Sequence, residues 1–219
     1  RVAEVVEEAP GVTSVRISGR RLDRLGARPG QFFIWRFLAR GHWWSAHPFS
    51  LSAAPGASSL RLTAKASGDH TARMATLPVG TRVVAEGPFG DFTARGRHEK
   101  VLLVAGGIGI TPVRALLEEL RGDVVALYRA LSERDLVFVG EIDALARRHG
   151  HRVAYLVGDH ASAEGQRLLT PEHLRELVPD IAEREVYLCG PPAMTDVIAR
   201  QLRRAGVRRR RLHVERFAL

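Results

Sequence analysis

The chain has 219 residues, of which 45% are hydrophobic and 26% charged, a composition that fits one large or two small folded domains and excludes a disordered protein. Cys189 is the single cysteine, which excludes an internal disulfide and a cysteine-ligated zinc or iron–sulfur cluster within this chain. The formal charge of +9 favours anionic partners, but neither a zinc-finger spacing nor a recognition helix accompanies it, which disfavours nucleic-acid binding.

Residues 1–97 have the pattern of a β domain. Aromatic residues alternate with others from Phe33 to Phe37, as one face of a strand requires. Glycine, proline or serine turns separate six predicted strands, at residues 2–6, 12–18, 30–37, 47–53, 60–66 and 81–86. A short helix is predicted after Gly68, ending at Leu77. This spacing predicts an antiparallel six-stranded β-barrel, because closure removes exposed edges.

Residues 98–219 alternate between buried strands and amphipathic helices, with a polar boundary at 95–99. Five strands are predicted, at 101–105, 124–128, 152–157, 186–188 and 211–215. The predicted helices are 112–120, one capped by Ser132 with Asp135, one opened by Thr170-Pro171, and one ending at Arg204. The alternation predicts an α/β doubly wound parallel five-stranded sheet. Residues 161–166 are predicted to be a mobile loop.

A glycine-rich turn directly follows the first strand of the second domain. Glycines there let the backbone approach a pyrophosphate, and the following helix N-terminus offers free N–H donors. The motif's required context of strand, turn and helix is present, which favours a nicotinamide dinucleotide site over a plain structural turn. The residues are Gly106, Gly107, Gly109, Ile110, Thr111 and Pro112.

A second turn ends the fourth strand of this domain, at Cys189, Gly190, Pro191 and Pro192. The first and fourth strands of a doubly wound sheet are neighbours at the switch point where ligands bind, so the two turns are expected to meet. By itself, Cys189 would be an inert buried thiol; the convergence favours a small polarisable side chain that orients the nicotinamide ring. No histidine base is identifiable nearby in the sequence, so a covalent nucleophile is not inferred.

Arg129 follows the second strand, twenty residues past Gly109. An arginine at this place suits the extra phosphate of NADP, whereas a carboxylate would accept the ribose hydroxyls of NAD. The sequence therefore favours NADPH, with NADH as the alternative. A merely solvated Arg129 would have no such role.

One predicted barrel strand carries a run suited to a flavin ring: His47, Pro48, Phe49, Ser50 and Leu51. Phe49 can cover one face of an isoalloxazine ring, and the Ser50 hydroxyl can hydrogen bond its edge. An aromatic residue on such a strand is also typical of a hydrophobic core.

The segment from Thr63 through Gly68 to Thr71 offers a hydroxyl, a glycine turn and a helix start. These features suit the binding of a second pyrophosphate.

Six short blocks are spread along most of the chain: His-Pro-Phe-Ser (47–50), Gly-Asp-His-Thr (68–71), Glu-Gly-Pro-Phe-Gly (86–90), Gly-Gly-Ile-Gly-Ile-Thr-Pro (106–112), Cys-Gly-Pro-Pro (189–192) and Glu-Arg-Phe (215–217). In this order they resemble the ferredoxin–NADP reductase superfamily, and more closely the flavin domain of ferric-reductase and NADPH-oxidase-like membrane proteins. The resemblance implies an FAD domain at 1–97, an NAD(P) domain at 98–219, and an FAD-dependent NAD(P)H oxidoreductase.

The resemblance also implies roles for residues on the flavin side. Phe49 would stack on the flavin, and Ser50 would approach its N5 edge. His47 replaces the arginine of the soluble reductases. The turn at 68–71 would hold the FAD pyrophosphate, with Lys65 adding charge.

Phe217 matches the C-terminal aromatic residue that covers the other face of the flavin in this family. Displacement of such a ring would admit nicotinamide only when it is bound productively. A C-terminal residue that closes the core is the alternative.

Two surface features have open alternatives. Trp43 and Trp44 either pack in the core or form an exposed patch that docks an electron acceptor. The late arginines are either solvated or a docking patch; they are Arg200, Arg203, Arg204, Arg208, Arg209, Arg210 and Arg211.

The predicted reaction begins when NADPH displaces Phe217. Its hydride goes to flavin N5 beside Ser50, with Cys189 fixing the geometry, and single electrons then pass to an external acceptor. The resemblance implies that the acceptor is ferric iron or a haem-containing transmembrane domain of the same parent chain, which would place this chain on the cytoplasmic face of a membrane. A chain that starts at Arg1 fits a piece of a longer protein, and its sequence contains no membrane span. The rivals are a stand-alone soluble reductase for a ferredoxin or flavohaemoglobin-type partner, and a catalytically silent nucleotide-binding regulatory module.

Overall fold

A computed structural model describes residues 1–94, 99–159 and 161–217 in two units. Unit 1 consists of Arg1–Ala94 with Arg114–Glu119, and the other described residues form unit 2. The boundary predicted between residues 97 and 98 lies outside the described residues. No helix in the described part of the chain is long and apolar enough to cross a membrane.

Unit 1 contains the six predicted antiparallel strands. They are β1 (Val2–Ala9), β2 (Val12–Ser18), β3 (Phe32–Phe37), β4 (His47–Ser50), β5 (Ser59–Lys65) and β6 (Val83–Phe89). Hydrogen bonds divide them into two sheets, ordered β1-β2-β5 and β4-β3-β6, with a bridge between Leu51 and Leu62. The six-stranded barrel prediction is confirmed in strand number and direction. The predicted short helix is α1 (Asp69–Ala72), continued by a 3-10 turn at Arg73–Thr76.

The core of unit 1 lies between these strands. Phe33, Trp35 and Phe37 on β3 are buried, as their alternation predicts, and Leu51 and Leu62 pack in the same cluster.

Unit 2 is built on five parallel strands: β7 (Lys100–Gly106), β8 (Asp123–Ala130), β9 (Arg152–Val157), β10 (Glu185–Gly190) and β11 (Leu212–Arg216). The helices are α2 (Ile110–Glu119), of which only the first turn belongs to unit 2, α3 (Val139–His149), α4 (Ala163–Arg167), α5 (Pro171–Leu177) and α6 (Pro192–Arg204). The strand order is β11-β10-β7-β8-β9, which makes the first and fourth strands neighbours. The predicted doubly wound sheet and its switch point are confirmed.

Local signals gave one correct helix start and one wrong one. The Thr170 hydroxyl accepts a hydrogen bond from the His173 backbone N–H at 3.4 Å and caps α5, as predicted. Ser132 and Asp135 do cap each other, but they enclose only a 3-10 turn, so the predicted start of α3 is wrong. Helix α3 begins at Val139, after Phe138 in a left-handed conformation.

The segment at 161–166 is also not the simple loop that its composition indicates. The Ser162 hydroxyl accepts a hydrogen bond from the Gly165 backbone N–H at 3.0 Å, and α4 begins there. A small polar residue at the N-cap satisfies a helix donor that would otherwise lack a partner.

The amino edge of the parallel sheet is held by one buried cation. Arg184 is 1% exposed, and its guanidinium donates to the carbonyl oxygens of Val101 and Asp123. Ion pairs of 2.6 Å to the Asp123 carboxylate and 2.7 Å to Asp180 neutralise its charge. The opposite, carboxyl edge carries the glycine and cysteine turns.

Candidate functional site

The two predicted turns of unit 2 are in direct contact. A Cβ on Gly109 would lie 2.6 Å from the carbonyl carbon of Cys189 and 2.8 Å from Cα of Gly190, so no side chain fits there. Because Gly109 follows β7 and Cys189 lies at the end of β10, this contact closes the switch point at the carboxyl edge of the sheet.

Met194, on the first turns of α6, fills the space beside these turns. A Cβ on Gly106 would overlap its thioether, so Gly106 and Met194 depend on each other for room. The thioether is flexible and adapts to irregular gaps. Sequence reasoning missed Met194, whose only signal is that it stands four residues after Gly190.

The start of α2 presents its backbone rather than its side chains. Ile110, Thr111 and Pro112 are buried, and the Thr111 hydroxyl donates to the Ile108 carbonyl at 3.1 Å. A ligand at this turn would therefore be held by main-chain N–H groups, as the bonding of a pyrophosphate requires.

The Cys189 thiol is fully buried beside Glu215 of the neighbouring strand β11. Burial raises the pKa of the thiol well above its usual value, and the Glu215 carboxylate raises it further, while a backbone hydrogen bond from Gly190 opposes both. Burial also raises the pKa of Glu215. Cys189 is thus a protonated thiol at neutral pH, which agrees with the expectation that it is not a nucleophile.

Arg129 lies at the end of β8 but is 5% exposed. Its Nη1 donates to the backbone carbonyls of Ala130 and Leu156, the latter at 3.0 Å. Burial lowers the pKa of the guanidinium, with Asp159 opposing the effect. Nη2 is buried without a hydrogen-bond partner among the described residues. Nη2 therefore retains the hydrogen-bonding capacity that a phosphate contact would use.

Phe217, the last described residue, follows β11. Its backbone N–H donates to the Gly190 carbonyl at 3.2 Å, and its side chain is partly exposed. The C-terminal aromatic residue is thereby fixed to the turn that follows Cys189. Of that turn, Pro191 is partly exposed and Pro192 exposed.

The predicted flavin strand is β4 in unit 1. Pro48 is exposed and His47 and Phe49 are partly exposed, whereas Ser50 and the following Leu51 are buried. The Phe49 ring lies 6.1 Å from that of His47, with the planes tilted by 34°. His47 and Phe49, two residues apart, therefore share one partly buried face of β4, where Phe49 also packs against the core of unit 1.

Thr63 is part of a buried polar network that sequence reasoning missed. Its hydroxyl lies 2.7 Å from both the Ser14 and the Ser52 hydroxyls, and Arg61 donates to the Ser52 carbonyl at 2.8 Å. Thr63 is 3% exposed, so its hydroxyl supports the strands from inside. Lys65, two residues later, is exposed.

The Thr71 hydroxyl closes the turn that begins α1. It accepts hydrogen bonds from the backbone N–H groups of Ser67 and Gly68, at 2.9 and 3.2 Å, and donates to the Gly68 carbonyl at 2.9 Å. Gly68 itself is exposed and extended.

Three histidine rings lie together next to this turn. The ring centroids of His47 and His70 are 5.0 Å apart, and those of His42 and His70 are 6.4 Å apart. The His70 Nε2 and the Ser45 hydroxyl are hydrogen bonded at 2.7 Å. The Nε2 atom of His47 is buried without a partner among the described residues. An orphaned buried imidazole nitrogen fits the presence of an anionic group at this place.

These rings are not arranged as a metal centre, since no group of three or more His, Cys, Asp or Glu in the described residues could hold a metal ion. Sequence reasoning singled out His47 but not His42. His70 was noted only as part of the Gly-Asp-His-Thr block. The cluster itself could not be predicted, because three separate segments of the chain meet to form it.

The structure decides between the two alternatives for the tryptophan pair but not for the late arginines. Trp43 and Trp44 are 59% and 51% exposed, which excludes the core alternative, and their rings meet edge to face at 5.7 Å. Three of the late arginines and Arg216 line a cavity of about 360 Å³. Whether either surface docks a partner stays a prediction. The lining arginines among the late set are Arg200, Arg203 and Arg209.

Comparisons with known proteins match both units. The family model described as an oxidoreductase NAD-binding domain matches residues 103–200. The ferredoxin reductase component of 3-ketosteroid-9-alpha-monooxygenase from Mycolicibacterium smegmatis is 31% identical over 99% of this chain, which spans 64% of that relative's length.

Solved structures match over almost the whole chain. The flavohem-like FAD/NAD-binding domain of nitric oxide dioxygenase from Vibrio cholerae superposes with a TM-score of 0.81 at 26% identity, covering 99% of this chain and 96% of that one. The ferredoxin–NADP+ reductase from Plasmodium falciparum has a TM-score of 0.78 over 99% and 94% of the two chains; at 14% identity it shows the fold alone.

Proposed function

Because the chain carries a ferredoxin–NADP reductase-like NAD-binding domain within the two-domain fold of those reductases, we propose that it moves a hydride from a nicotinamide dinucleotide to FAD and delivers single electrons to an external acceptor. The observation that carries the proposal is the contact between the Gly109 turn and the Cys189 turn. It brings the two turns together at the switch point, where dinucleotides bind in doubly wound sheets.

On the nicotinamide side the chain contributes geometry. Gly106 and Gly109 let the turn pack closely against Met194 and Cys189, Gly107 has open space beside it, and the first N–H groups of α2 hold a pyrophosphate. Cys189 stays a neutral thiol that supports the ring by packing. Phe217, anchored by Gly190, is the ring that nicotinamide displaces.

On the flavin side the chain contributes a stacking face and an anion site. Phe49 packs on the ring and Ser50 meets its edge. The turn closed by Thr71 and the exposed Lys65 hold the pyrophosphate. FAD, when bound, supplies the two-electron to one-electron redox chemistry. No general acid or base is required of the chain, because hydride transfer moves no separate proton.

For the acceptor, we propose a protein that carries a metal centre. The relatives named above are described as a reductase component of a monooxygenase and as a domain of nitric oxide dioxygenase. The more specific alternative is that the acceptor is a transmembrane haem domain or ferric iron. This alternative rests on His47, which stands where the soluble reductases have an arginine. For the donor, NADPH remains the proposal through Nη2 of Arg129, with NADH as the alternative.

The decisive experiment uses apoprotein reconstituted with FAD. Anaerobic addition of NADPH or NADH is expected to bleach the flavin absorbance, and a one-electron acceptor is then expected to restore it. A protein that binds FAD but is reduced by neither donor would be the silent regulatory module instead.

We also propose that Trp43 and Trp44 belong to the docking face for the acceptor, since two large exposed aromatic rings form an apolar patch. The double change Trp43→Ser and Trp44→Ser is expected to raise KM for a protein acceptor while ferricyanide reduction stays at the wild-type rate. An equal loss with both acceptors would contradict docking at this patch.

A further inference from the structure

The proposed anion site of unit 1 contains three histidine rings, although one permanently charged side chain would suffice to bind an anion. His42 comes from the segment after β3, His47 from β4 and His70 from α1. His70 stands between the other two, with ring distances of 5.0 Å to His47 and 6.4 Å to His42. An arginine keeps its charge at every physiological pH, whereas these rings gain theirs only by taking up protons.

The charged groups around the cluster are mostly cationic. Arg73 follows α1 and acts on His42, and Arg36 of β3 donates to the Trp43 carbonyl at 3.1 Å, next to His42. Lys65 ends the neighbouring strand β5, and Asp69 precedes His70 on α1. No carboxylate in the described part of the chain is hydrogen bonded or ion paired to any of the three rings.

Without an anion, these surroundings oppose protonation. His42 is 6% exposed, and burial lowers its pKa, with His70 and then Arg73 lowering it further. Burial also lowers the pKa of His47, and His70 adds to the effect. In the absence of an anion, His42 and His47 therefore resist protonation, and the buried Nε2 of His47 has no hydrogen-bond partner among the described residues.

A diphosphate bound beside these rings favours their protonation, which the surroundings alone oppose. Its negative charges favour the protonated rings, and a proton placed on one imidazole supplies the donor that an anionic oxygen needs. We infer that FAD binding takes up protons at His42 and His47, so that the affinity of the chain for FAD falls as the pH rises. This inference rests on the proposed function, since it assumes that unit 1 binds FAD.

The sign and size follow from linkage. A group that is more readily protonated in the complex than in the free protein strengthens binding at low pH, and the gain is lost as pH rises through its value in the complex. For each proton taken up, the association constant falls by about tenfold per pH unit within that window. The slope therefore shows directly whether one or two protons are taken up.

The test is a titration of apoprotein with FAD at constant ionic strength, from about pH 5.5 to about pH 8.5, across which histidine changes charge. Riboflavin is the matched ligand, because it has the same ring without phosphate. We expect a falling affinity for FAD and a flat one for riboflavin. Calorimetry in buffers of different ionisation enthalpy counts the protons independently, without any substitution.

Variants then locate the protons. His47→Arg should keep FAD binding at high pH and reduce the slope, and His42→Gln should reduce the slope while weakening binding at low pH. His173→Gln in unit 2 is the matched control and should leave the slope unchanged.

The outcomes separate the inference from the proposed function. FAD that binds and is reduced by a nicotinamide donor, but with no proton uptake or with the same slope as riboflavin, overturns the inference alone. Failure to bind FAD at any pH overturns both.

Discussion

Gly109→Ala tests whether the contact between the two turns of unit 2 holds the nicotinamide site in shape. The added Cβ would lie 2.6 Å from the Cys189 carbonyl carbon, where ordinary van der Waals contact begins at 3.4 Å. The obstruction is backbone on both sides, so it cannot be relieved by rotating a side chain. One turn must move by at least the missing 0.8 Å relative to the other.

Such a shift affects hydride transfer more than the fold. A displacement of about 1 Å in a reacting geometry costs on the order of 100-fold in rate. We therefore expect the rate of anaerobic flavin reduction by NADPH to fall by about that factor, while FAD affinity is unchanged. Stopped-flow absorbance of the flavin measures the rate, and a parallel FAD titration of the apoprotein measures the affinity.

Two further glycines provide graded controls. Gly106→Ala meets the flexible thioether of Met194 rather than backbone and should lose less rate than Gly109→Ala. Gly140→Ala on α3 meets nothing within 4 Å and should leave the rate unchanged. Flavin reduction within about threefold of wild type in Gly109→Ala would refute the reasoning, since the turns would then separate without cost to the site.

The remaining predictions concern unit 2. Arg184→Met should destabilise unit 2 by about 3 kcal/mol in urea, followed by far-UV circular dichroism, because it strips a buried cation from its partners; the control Lys100→Met, which removes a partly exposed cation paired with Asp180 and Glu183, should destabilise it much less. The Asp180 pKa is lowered, since burial raises it but hydrogen bonds from Arg184 and Lys100 outweigh burial. Its stabilisation is thus full above its ordinary value of 3.8 and lost as pH falls through the lowered value, and Asp180→Asn should flatten this acid dependence of the unfolding midpoint. Arg129→Ala should raise KM for NADPH by about 10- to 100-fold and leave KM for NADH unaffected. If the ratio of the two KM values does not change, Nη2 of Arg129 does not bind the phosphate.

The sequence predicted the parallel sheet well because its signals are local and strong. Strand β9 has the predicted limits, and β7 and β10 exceed theirs by at most two residues at either end. Once the five strands are recognised, doubly wound topology places the first beside the fourth. The meeting of Gly109 with Cys189 could therefore be deduced from chain order alone.

The start of α3 could not be deduced in this way. The hydroxyl of Tyr128, a buried residue of β8, accepts the Val137 backbone N–H at 3.1 Å. With this tertiary hydrogen bond Val137 stays outside the helix, which begins only after Phe138 adopts a left-handed conformation. Ser132 and Asp135 nevertheless form the capping pair that is typical of a helix start. A local signal was present, and a distant side chain overrode it.

The same limit applies to the sites. The burial of Arg129 depends on carbonyls of β8 and β9, and the position of Met194 depends on how α6 packs near Gly106. Neither is encoded in the spacing of motifs. The histidine cluster joins three segments that are distant in sequence, so a reading of one strand could find only His47.

The two sites differ in the physical means by which they recognise similar pyrophosphates. In unit 2 recognition rests on the absence of side chains at Gly106 and Gly109 and on main-chain donors, none of which titrates near neutral pH. In unit 1 it rests on imidazole rings whose charge depends on proton uptake. Changes in pH between about 5.5 and 8.5 should therefore act on FAD retention and leave the affinity for NADH nearly constant; NADH is the donor to use here, because the 2′-phosphate of NADPH itself titrates at about 6. A steric change at Gly109 should do the reverse, so the two perturbations report on separate halves of the proposed reaction.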